Sequence, residues 1–454
     1  MASITRKIGE GTAYSFFQNF LVIVLGAFGT ILVIRELGAY QYGLVVLAMS
    51  IVGGMNVFLD FGIGNVVISD IAASRGGDNT AKAKKLLKEY LIFQIITGVI
   101  LFAAAFTLSF FANAKYGVEI SGLVKIASFL VIINAAKNVF MVAAQSFVKF
   151  NLLAIFFISE SAARLVFILF FVFMAGGGMV TVMMSYLVSS LFAILLVSPF
   201  IIISVKKTKT EGDAGNKLLL GLFKEHGKFQ IGLRFFQNLL DPLRVWIIRY
   251  FIGAEGVAVF HVSLRFFGYL TQLIFAASSP LLSIISEEFA KGKEKAAKVA
   301  NMMARYLNWI SLLVMVIAWL FTPNVLELFF GDKYLSSVPV IRWFLVGYLI
   351  GGANTVMKPI FFALRAQKAL LFSDTIAFFI SYPVAAYLTY KYGVIGFAVP
   401  IGTYLSFAAR YFYLKKKEPL FAISFKDLFV WKKEDVYLAK RIYESIKIRV
   451  KINN

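Results

Sequence analysis

Residues 235–253 read FFQNLLDPLRVWIIRYFIG, a stretch apolar enough to cross a membrane that nonetheless carries Asp241, Arg244 and Arg249, with Arg234 one residue before it. A charge at mid-bilayer costs about 2.5–3.5 kcal/mol on insertion scales. At 100° per residue, Arg234, Gln237, Asn238, Asp241, Arg244 and Arg249 fall on one arc of about 140°. Leu239, Leu240, Leu243, Trp246, Ile247 and Tyr250 lie on the other side. A polar stripe along a span must face a watery cavity or a partner. Pro242 is placed to bend the helix near its middle. Asp241 is spaced to pair with Arg244 at i+3, but one carboxylate cannot also neutralise Arg234 and Arg249. Those two lie near enough to the ends to snorkel, and Arg244 does not. The stripe is expected to line a cavity, with a structural ion pair as the alternative.

The opening tetrad is repeated. Phe16-Phe17-Gln18-Asn19 matches Phe235-Phe236-Gln237-Asn238, close to half the chain away. Each copy is followed at the far end by a similar triplet, Leu37-Gly38-Ala39 and Ile252-Gly253-Ala254. Equivalent placement in two spans indicates an internal duplication. At the positions of Asp241, Arg244 and Arg249 the first copy has Val22, Leu25 and Thr30. The scaffold is therefore shared, whereas the charges belong to the second half and are better candidates for substrate work.

The rest of the chain fits this pattern. Of 454 residues, 60% are hydrophobic and 15% charged. A soluble domain is nearer half apolar and a quarter charged. Mean hydropathy is +0.80. A span needs about 20 mostly apolar residues. Twelve such blocks occur, at 12–34, 42–71, 89–112, 120–146, 152–175, 178–204, 229–252, 256–285, 300–322, 337–363, 369–390 and 393–414. The N-terminus has a short basic start and no small-residue cleavage site, so the first span is expected to be retained. There is no cysteine, which excludes disulfides and thiolate metal sites, and the two histidines, His226 and His261, cannot build a histidine-rich metal site. No nucleotide-binding loop is visible, and no cofactor is expected.

The net charge of +22 is explained by orientation. With the N-terminus in the cytoplasm, 31 of the 46 lysines and arginines fall in cytoplasmic segments and only Arg35, Lys115, Lys333 and Lys391 on the opposite side. The positive-inside rule then predicts that both termini are cytoplasmic. The expected organisation is an N-terminal six-helix lobe at 1–204, a linker at 205–228, a C-terminal six-helix lobe at 229–414 and a basic tail at 415–454. The tail mixes Phe425, Leu428, Phe429 and Trp431 with lysines, and reads either as an amphipathic helix drawn to anionic lipid or as a disordered basic segment.

The spans hold further polar groups. Span four carries Lys137, Asn138 and Gln145, with Lys125 nearer the outside. Lys137 has no acid in its own helix, so it is expected to face a cavity, the alternative being a pair with Asp60 or another helix. Span two carries Asn56 and Asp60, span eight His261, Arg265 and Gln272, and span ten Asn354 and Lys358, followed by Pro359. Glu160 and Arg164, at i and i+4 in span five, are expected to form an internal salt bridge. His261 either titrates near neutral pH or is simply solvated near the outer end. Arg305, Arg342 and Arg410 are expected to snorkel. In all, the spans hold eleven basic residues against five acids within them, Asp60, Asp70, Glu160, Asp241 and Asp374, with Glu89 at the edge of a block. A cationic interior implies an anionic substrate, and the planar arginine fork suits phosphate. A drug-cation exporter would want the opposite sign.

Two segments carry a family resemblance. Arg35-Glu36-Leu37-Gly38-Ala39-Tyr40-Gln41-Tyr42-Gly43-Leu44 resembles the loop after span one of polysaccharide flippases, and Leu59-Asp60-Phe61-Gly62-Ile63-Gly64 resembles their span-two segment. With twelve spans in a 6+6 repeat, the chain resembles Wzx-type O-antigen flippases of the multidrug/oligosaccharidyl-lipid/polysaccharide exporter superfamily. The resemblance implies an all-α polytopic fold of 12 transmembrane helices, in two pseudo-symmetric six-helix lobes forming a V around a central cationic cavity. It implies a bacterial inner-membrane location and a substrate of undecaprenyl-pyrophosphate-linked oligosaccharide, moved from the inner to the outer leaflet by alternating access coupled to an ion gradient.

On this reading Arg244, Arg249, Arg234, Lys137, Arg265 and Lys358 are candidates to hold phosphate or acidic sugars, and Asn19, Asn56 and Asn238 to bind hydroxyls. Asp60, Asp241 and Glu160 are the candidate ion-coupling groups. The expected partners are the lipid-linked glycan, anionic lipid at the cytoplasmic surface and a glycan polymerase, with no nucleic acid. The rival readings are a peptidoglycan-precursor flippase, whose family usually shows fourteen spans, and a multidrug exporter. An enzyme would want a substantial outer domain, and the longest outer loop offers only Glu327, Asp332 and Lys333.

Overall fold

The computed structural model describes residues 2–76, 79–174, 176–213, 218–224, 242–278, 285, 288–289, 292–364, 366–423 and 425–430. The regular structure among them is helical: α1 (Ala2–Asp60), α2 (Gly64–Gly76), α3 (Thr80–Tyr116), α4 (Val118–Ser146), α5 (Phe150–Met174), α6 (Met179–Lys207), α7 (Leu218–Leu222), α8 (242–251), α9 (Ala254–Ser278), α10 (Lys293–Phe330), α11 (Ser337–Val346), α12 (Gly351–Ala363), α13 (Gln367–Tyr392) and α14 (Ile401–Lys417), with short 3-10 turns between. The protein is an all-α polytopic membrane protein. Among the described residues, seven helices are long and apolar enough to cross a bilayer, and the α11–α12 pair, bent by 52°, makes an eighth if it counts as one span.

The remaining apolar blocks have separate explanations. The first spanning stretch, Phe20–Asp60, contains two of them. They meet at Gly38, whose φ of 71° and ψ of 171° break the helix inside α1. Such a φ is open to glycine and costly for a residue with a Cβ, so one residue suffices to kink the chain. The block at 229–252 lies largely outside the described residues. Those at 256–285 and 393–414 are helical at Ala254–Ser278 and Ile401–Lys417, but neither is among the seven. The duplicated triplet has a duplicated role: Gly253, at φ 105°, breaks the chain between α8 and α9 as Gly38 does within α1. A positive-φ glycine also stands at the turns after α3 (Gly117), α10 (Gly331) and α13 (Gly393).

By packing, the chain divides into one unit of Met1–His261 with Glu327–Leu335 and a second of Val262–Leu326 with Ser336–Asn454. This partition differs from the expected lobes at 1–204 and 229–414, because α8, the start of α9 and Glu327–Leu335 group with the N-terminal helices.

In the first unit α4 is central, packing against α1, α2, α3, α5 and α6. Its lower half closes one apolar cluster with Ile63, Val67, Ile71, Leu86 and Tyr90, and a second with Phe156, Ala193 and Val197. Asn79 caps α3 by accepting the Lys82 amide at 3.0 Å. The segment after α6 is tied to this corner: the Ala81 amide donates to the Glu211 carbonyl at 2.9 Å, and Lys84 Nζ to the Thr208 carbonyl at 2.5 Å. At the other end, Gly43 lies so close to α9 that a Cβ would sit 1.9 Å from the Ala254 carbonyl oxygen. Beside it Tyr42 Oη is 2.6 Å from His261 Nδ1. Of the two readings of His261, simple solvation is therefore replaced by a hydrogen bond to another helix.

In the second unit a similar close approach lets α10 cross α12, where a Cβ on Gly352 would meet the Leu307 and Asn308 backbone at 2.1–2.2 Å. Asn308 Nδ2 donates to the Leu349 carbonyl at 3.0 Å beside the α11–α12 bend, satisfying one of the carbonyls that the bend frees. On the other face of α11, Phe267 stacks on Phe344 and Tyr348, with ring centroids 5.2 and 5.0 Å away.

Candidate transport site

Within the first unit, the polar residues of span four are distributed among three neighbouring helices. Asn134 donates to Asn56 Oδ1 of α1 at 3.2 Å, and Asn138 to Gln94 Oε1 of α3 at 3.5 Å. Gln94 is fully buried and itself donates to Tyr90 Oη at 3.0 Å. Lys137, between the two asparagines, reaches Glu160 of α5 at 2.7 Å. Of the two readings of Lys137, the structure shows the pair with another helix. An acid one helix away has no fixed spacing from its partner in sequence, so only the packing of α4 on α5 could reveal the contact.

Glu160 is 3% exposed, and one of its oxygens, Oε1, accepts three donors: Lys137 Nζ at 2.7 Å, Arg164 Nη2 at 3.1 Å and Ser190 Oγ of α6 at 2.5 Å. The i, i+4 bridge expected between Glu160 and Arg164 is present. The Arg164 guanidinium lies over the Tyr186 ring at 4.6 Å, and its buried Nε has no hydrogen-bond partner among the described residues. Lys137 Nζ is 5.9 Å from the Phe156 ring. One carboxylate facing two cations leaves this cluster a net positive charge.

The second unit has a counterpart. Arg410 of α14 donates to Asn354 Oδ1 of α12 at 2.7 Å and to Asp374 of α13. Lys358, one turn from Asn354 on α12, is exposed and makes no hydrogen bond or salt bridge among the described residues. Again one acid faces two bases. The two clusters are alike in kind: α4 and α12 each carry an asparagine and a lysine, and the acid stands on the next long helix, Glu160 on α5 and Asp374 on α13. The third group differs, being Arg164 on span five but Arg410 on the last helix.

This corrects the expectation that Arg410 snorkels, for it is 2% exposed and held between an amide and a carboxylate. Arg305, 5% exposed, is likewise buried and does not snorkel. Both stand near span ends in sequence, where snorkelling is cheapest, but neighbouring helices cover them. Arg342 rests its guanidinium over the Trp319 ring at 5.3 Å. Asp60 accepts the Gly62 amide and shapes the turn between α1 and α2.

Of the opening stripe, Arg244 and Arg249 lie half-buried on α8, with the Arg244 guanidinium 5.7 Å from the Phe260 ring. Arg265 is exposed on α9. Arg234, Asn238 and Asp241 lie outside the described residues, and Asn19 falls on α1 with its side chain outside the described part. Sequence reasoning missed Ser190 and Gln94, two uncharged residues that only their helix neighbours mark out.

The two halves of this helical bundle are similar to different protein families. A model described as Polysaccharide biosynthesis protein matches residues 8–220, and one described as MatE matches residues 231–388. Each model covers less than half of the chain, and the resemblance to a Wzx-type flippase fits both. No curated protein matches it in sequence. Among solved structures, a lipid II flippase MurJ in an inward closed conformation is similar at TM-score 0.69 and 15% identity, covering 96% of this chain and 93% of that one. An inward-facing multidrug resistance MATE family transporter of the MOP superfamily gives TM-score 0.67 at 17% identity, covering 88% of this chain and 94% of that one. A MOP superfamily transporter from Pyrococcus furiosus, whose reverse polarity of binding pocket suggests a different function, gives TM-score 0.51 at 16% identity, covering 90% and 93%. At these identities the likeness is one of fold.

Proposed function

We propose that this transporter flips an undecaprenyl-pyrophosphate-linked oligosaccharide, an O-antigen or related glycan unit, from the inner to the outer leaflet of the bacterial plasma membrane. The cycle is one of alternating access, driven by an ion gradient, with no catalytic step. The observation that carries this reading is the sign of the charge at membrane depth: in each unit one carboxylate faces two cations, Glu160 with Lys137 and Arg164, Asp374 with Arg410 and Lys358. An excess of cations within apolar spans is costly unless an anion relieves it, and a diphosphate with its own net charge does so. The match to the Polysaccharide biosynthesis protein model over the first half supports a glycan as the rest of the headgroup.

The prenyl chain stays in lipid while the headgroup crosses. Lys358 and Arg265, both exposed, and the α8 arginines bind phosphate or acidic sugars. Asn56 binds hydroxyls, as do Asn19 and Asn238. Glu160 holds Lys137 and Arg164 in place and is the candidate coupling acid, alongside Asp60 and Asp241. The duplicated lobes at 1–204 and 229–414 are the moving parts, and both termini are cytoplasmic. A second reading, a lipid II-type precursor as substrate, is favoured by the likeness to MurJ and shares the diphosphate.

Lipid-linked glycan analysis of a deletion strain tests the proposal. Diphosphate-linked intermediate should accumulate in the inner leaflet and surface glycan disappear. Normal surface glycan together with sensitivity to toxic cations would replace it with a multidrug exporter. Arg244→Ala should abolish surface glycan while the protein remains in the membrane, and intact glycan would remove Arg244 from the mechanism.

A further inference from the structure

The first unit carries a groove that the transport reading does not use. Its floor is α4 and its walls are α3 and α6, both of which pack on α4. Ala136 and Ala143 keep the floor low, while Leu87 and Leu91 on one side and Ile194 and Ile202 on the other make the walls. The cavity is about 400 Å³ and almost wholly apolar along its length. At one end only, it is ringed by Lys84, Lys88 and Lys206. This is the end that the distribution of basic residues places at the cytoplasmic surface.

The three lysines are not equivalent. Lys84 is spent on the protein, donating to the Thr208 carbonyl at 2.5 Å and to Thr210 Oγ1 at 2.9 Å. Lys88 and Lys206 are exposed and make no hydrogen bond or ion pair among the described residues. Two cations on different helices therefore stand over the mouth of an apolar slot. That pattern matches one amphiphile in both parts: a hydrocarbon chain for the slot and a phosphate for the lysines. Basic pockets between spanning helices on this side of a membrane are suited to anionic headgroups.

We propose that this groove binds an anionic phospholipid of the cytoplasmic leaflet, one acyl chain lying along α4 between α3 and α6 and the phosphate held by Lys88 and Lys206. The site is separate from the charged clusters, since Lys137 turns to α5 and Asn134 and Asn138 to α1 and α3. Occupancy would add a second tie between α3 and α6, beside the one that Lys84 makes to Thr208 and Thr210.

Native mass spectrometry of the purified, delipidated full chain, titrated with phosphatidylglycerol or phosphatidylcholine, tests this. Phosphatidylglycerol should bind at least tenfold more tightly than phosphatidylcholine. Lys88→Gln with Lys206→Gln should weaken it about 25-fold, at about fivefold per basic residue near the headgroup. Ile202→Asn, on an exposed wall where no packing is at stake, should also weaken it with the lysines intact. Lys333→Gln with Lys391→Gln, two exposed lysines of the opposite side, should leave it unchanged. Equal binding of the two lipids, no loss on removing Lys88 and Lys206, or an equal loss in the opposite-side control would each overturn the site.

Discussion

Glu160→Gln is the substitution that most directly probes the charged core of the first unit. Glutamine keeps the size and one accepting oxygen but removes the charge. In the native protein Glu160 Oε1 accepts from Lys137 at 2.7 Å and Arg164 at 3.1 Å, both charge-assisted, and from Ser190 at 2.5 Å. Hydrogen bonds involving a charge contribute about 1.5–3 kcal/mol and neutral ones about 0.5–1.5, so neutralising the acceptor loses roughly 1–1.5 kcal/mol at each of two contacts. Leaving two cations without their buried counter-charge raises the total towards the 3–5 kcal/mol typical of a broken buried pair. A loss of about 3 kcal/mol is expected, read as a lowered melting temperature of the purified protein in detergent. Lys137→Met should cost a similar amount alone, and in the double variant the losses should fall short of their sum by at least about 1 kcal/mol, because the second change removes a charge the first had stranded. Strictly additive losses, or a melting temperature indifferent to Glu160→Gln, would refute the view that this carboxylate neutralises buried cations.

Gly43→Val should prevent stable insertion or cost well over about 3 kcal/mol, since the new Cβ would lie 1.9 Å from the backbone oxygen of Ala254; normal yield and melting temperature would mean that α1 and α9 do not meet there. Gly352→Ala should behave alike at the α10–α12 crossing, where the obstacle is again backbone. Arg410→Lys should destabilise by about 2 kcal/mol, because a single ammonium cannot reproduce the fork that engages Asn354 and Asp374 on two helices; thermal unfolding of the variant checks it. Lys358→Gln, at an exposed group without a hydrogen bond, should leave the melting temperature within about 1 °C while reducing surface glycan, and an unaltered glycan level would withdraw Lys358 from substrate binding.

What could be read without coordinates was governed by one-dimensional rules. A bilayer demands long apolar runs, so the helical class and the spanning blocks were visible from hydropathy. The matching triplets around Gly38 and Gly253 stood at the far ends of two equivalent stretches, and both glycines adopt positive φ. The Glu160–Arg164 bridge was legible because i, i+4 spacing on one helix fixes which side chains meet. The pairing of Lys137 was not, nor was the burial of Arg410, since their partners lie 23 and 36 residues away along the chain. Position near a span end predicts snorkelling only if no neighbouring helix covers the side chain, and α12 and α13 cover Arg410.

Sequence alone determined the solvent this protein lives in, its helical class and the cationic excess within its apolar blocks, because each follows from composition and from the period of a helix. Tertiary structure decided which of those charges are already satisfied. Asn134, Lys137 and Asn138 are near neighbours on α4, yet they turn to three different helices. A residue's place along a helix sets the direction in which it points, but the identity of what it meets depends on how the helices pack, and in a bundle of similar apolar rods a few small residues such as Gly43 and Gly352 set that packing.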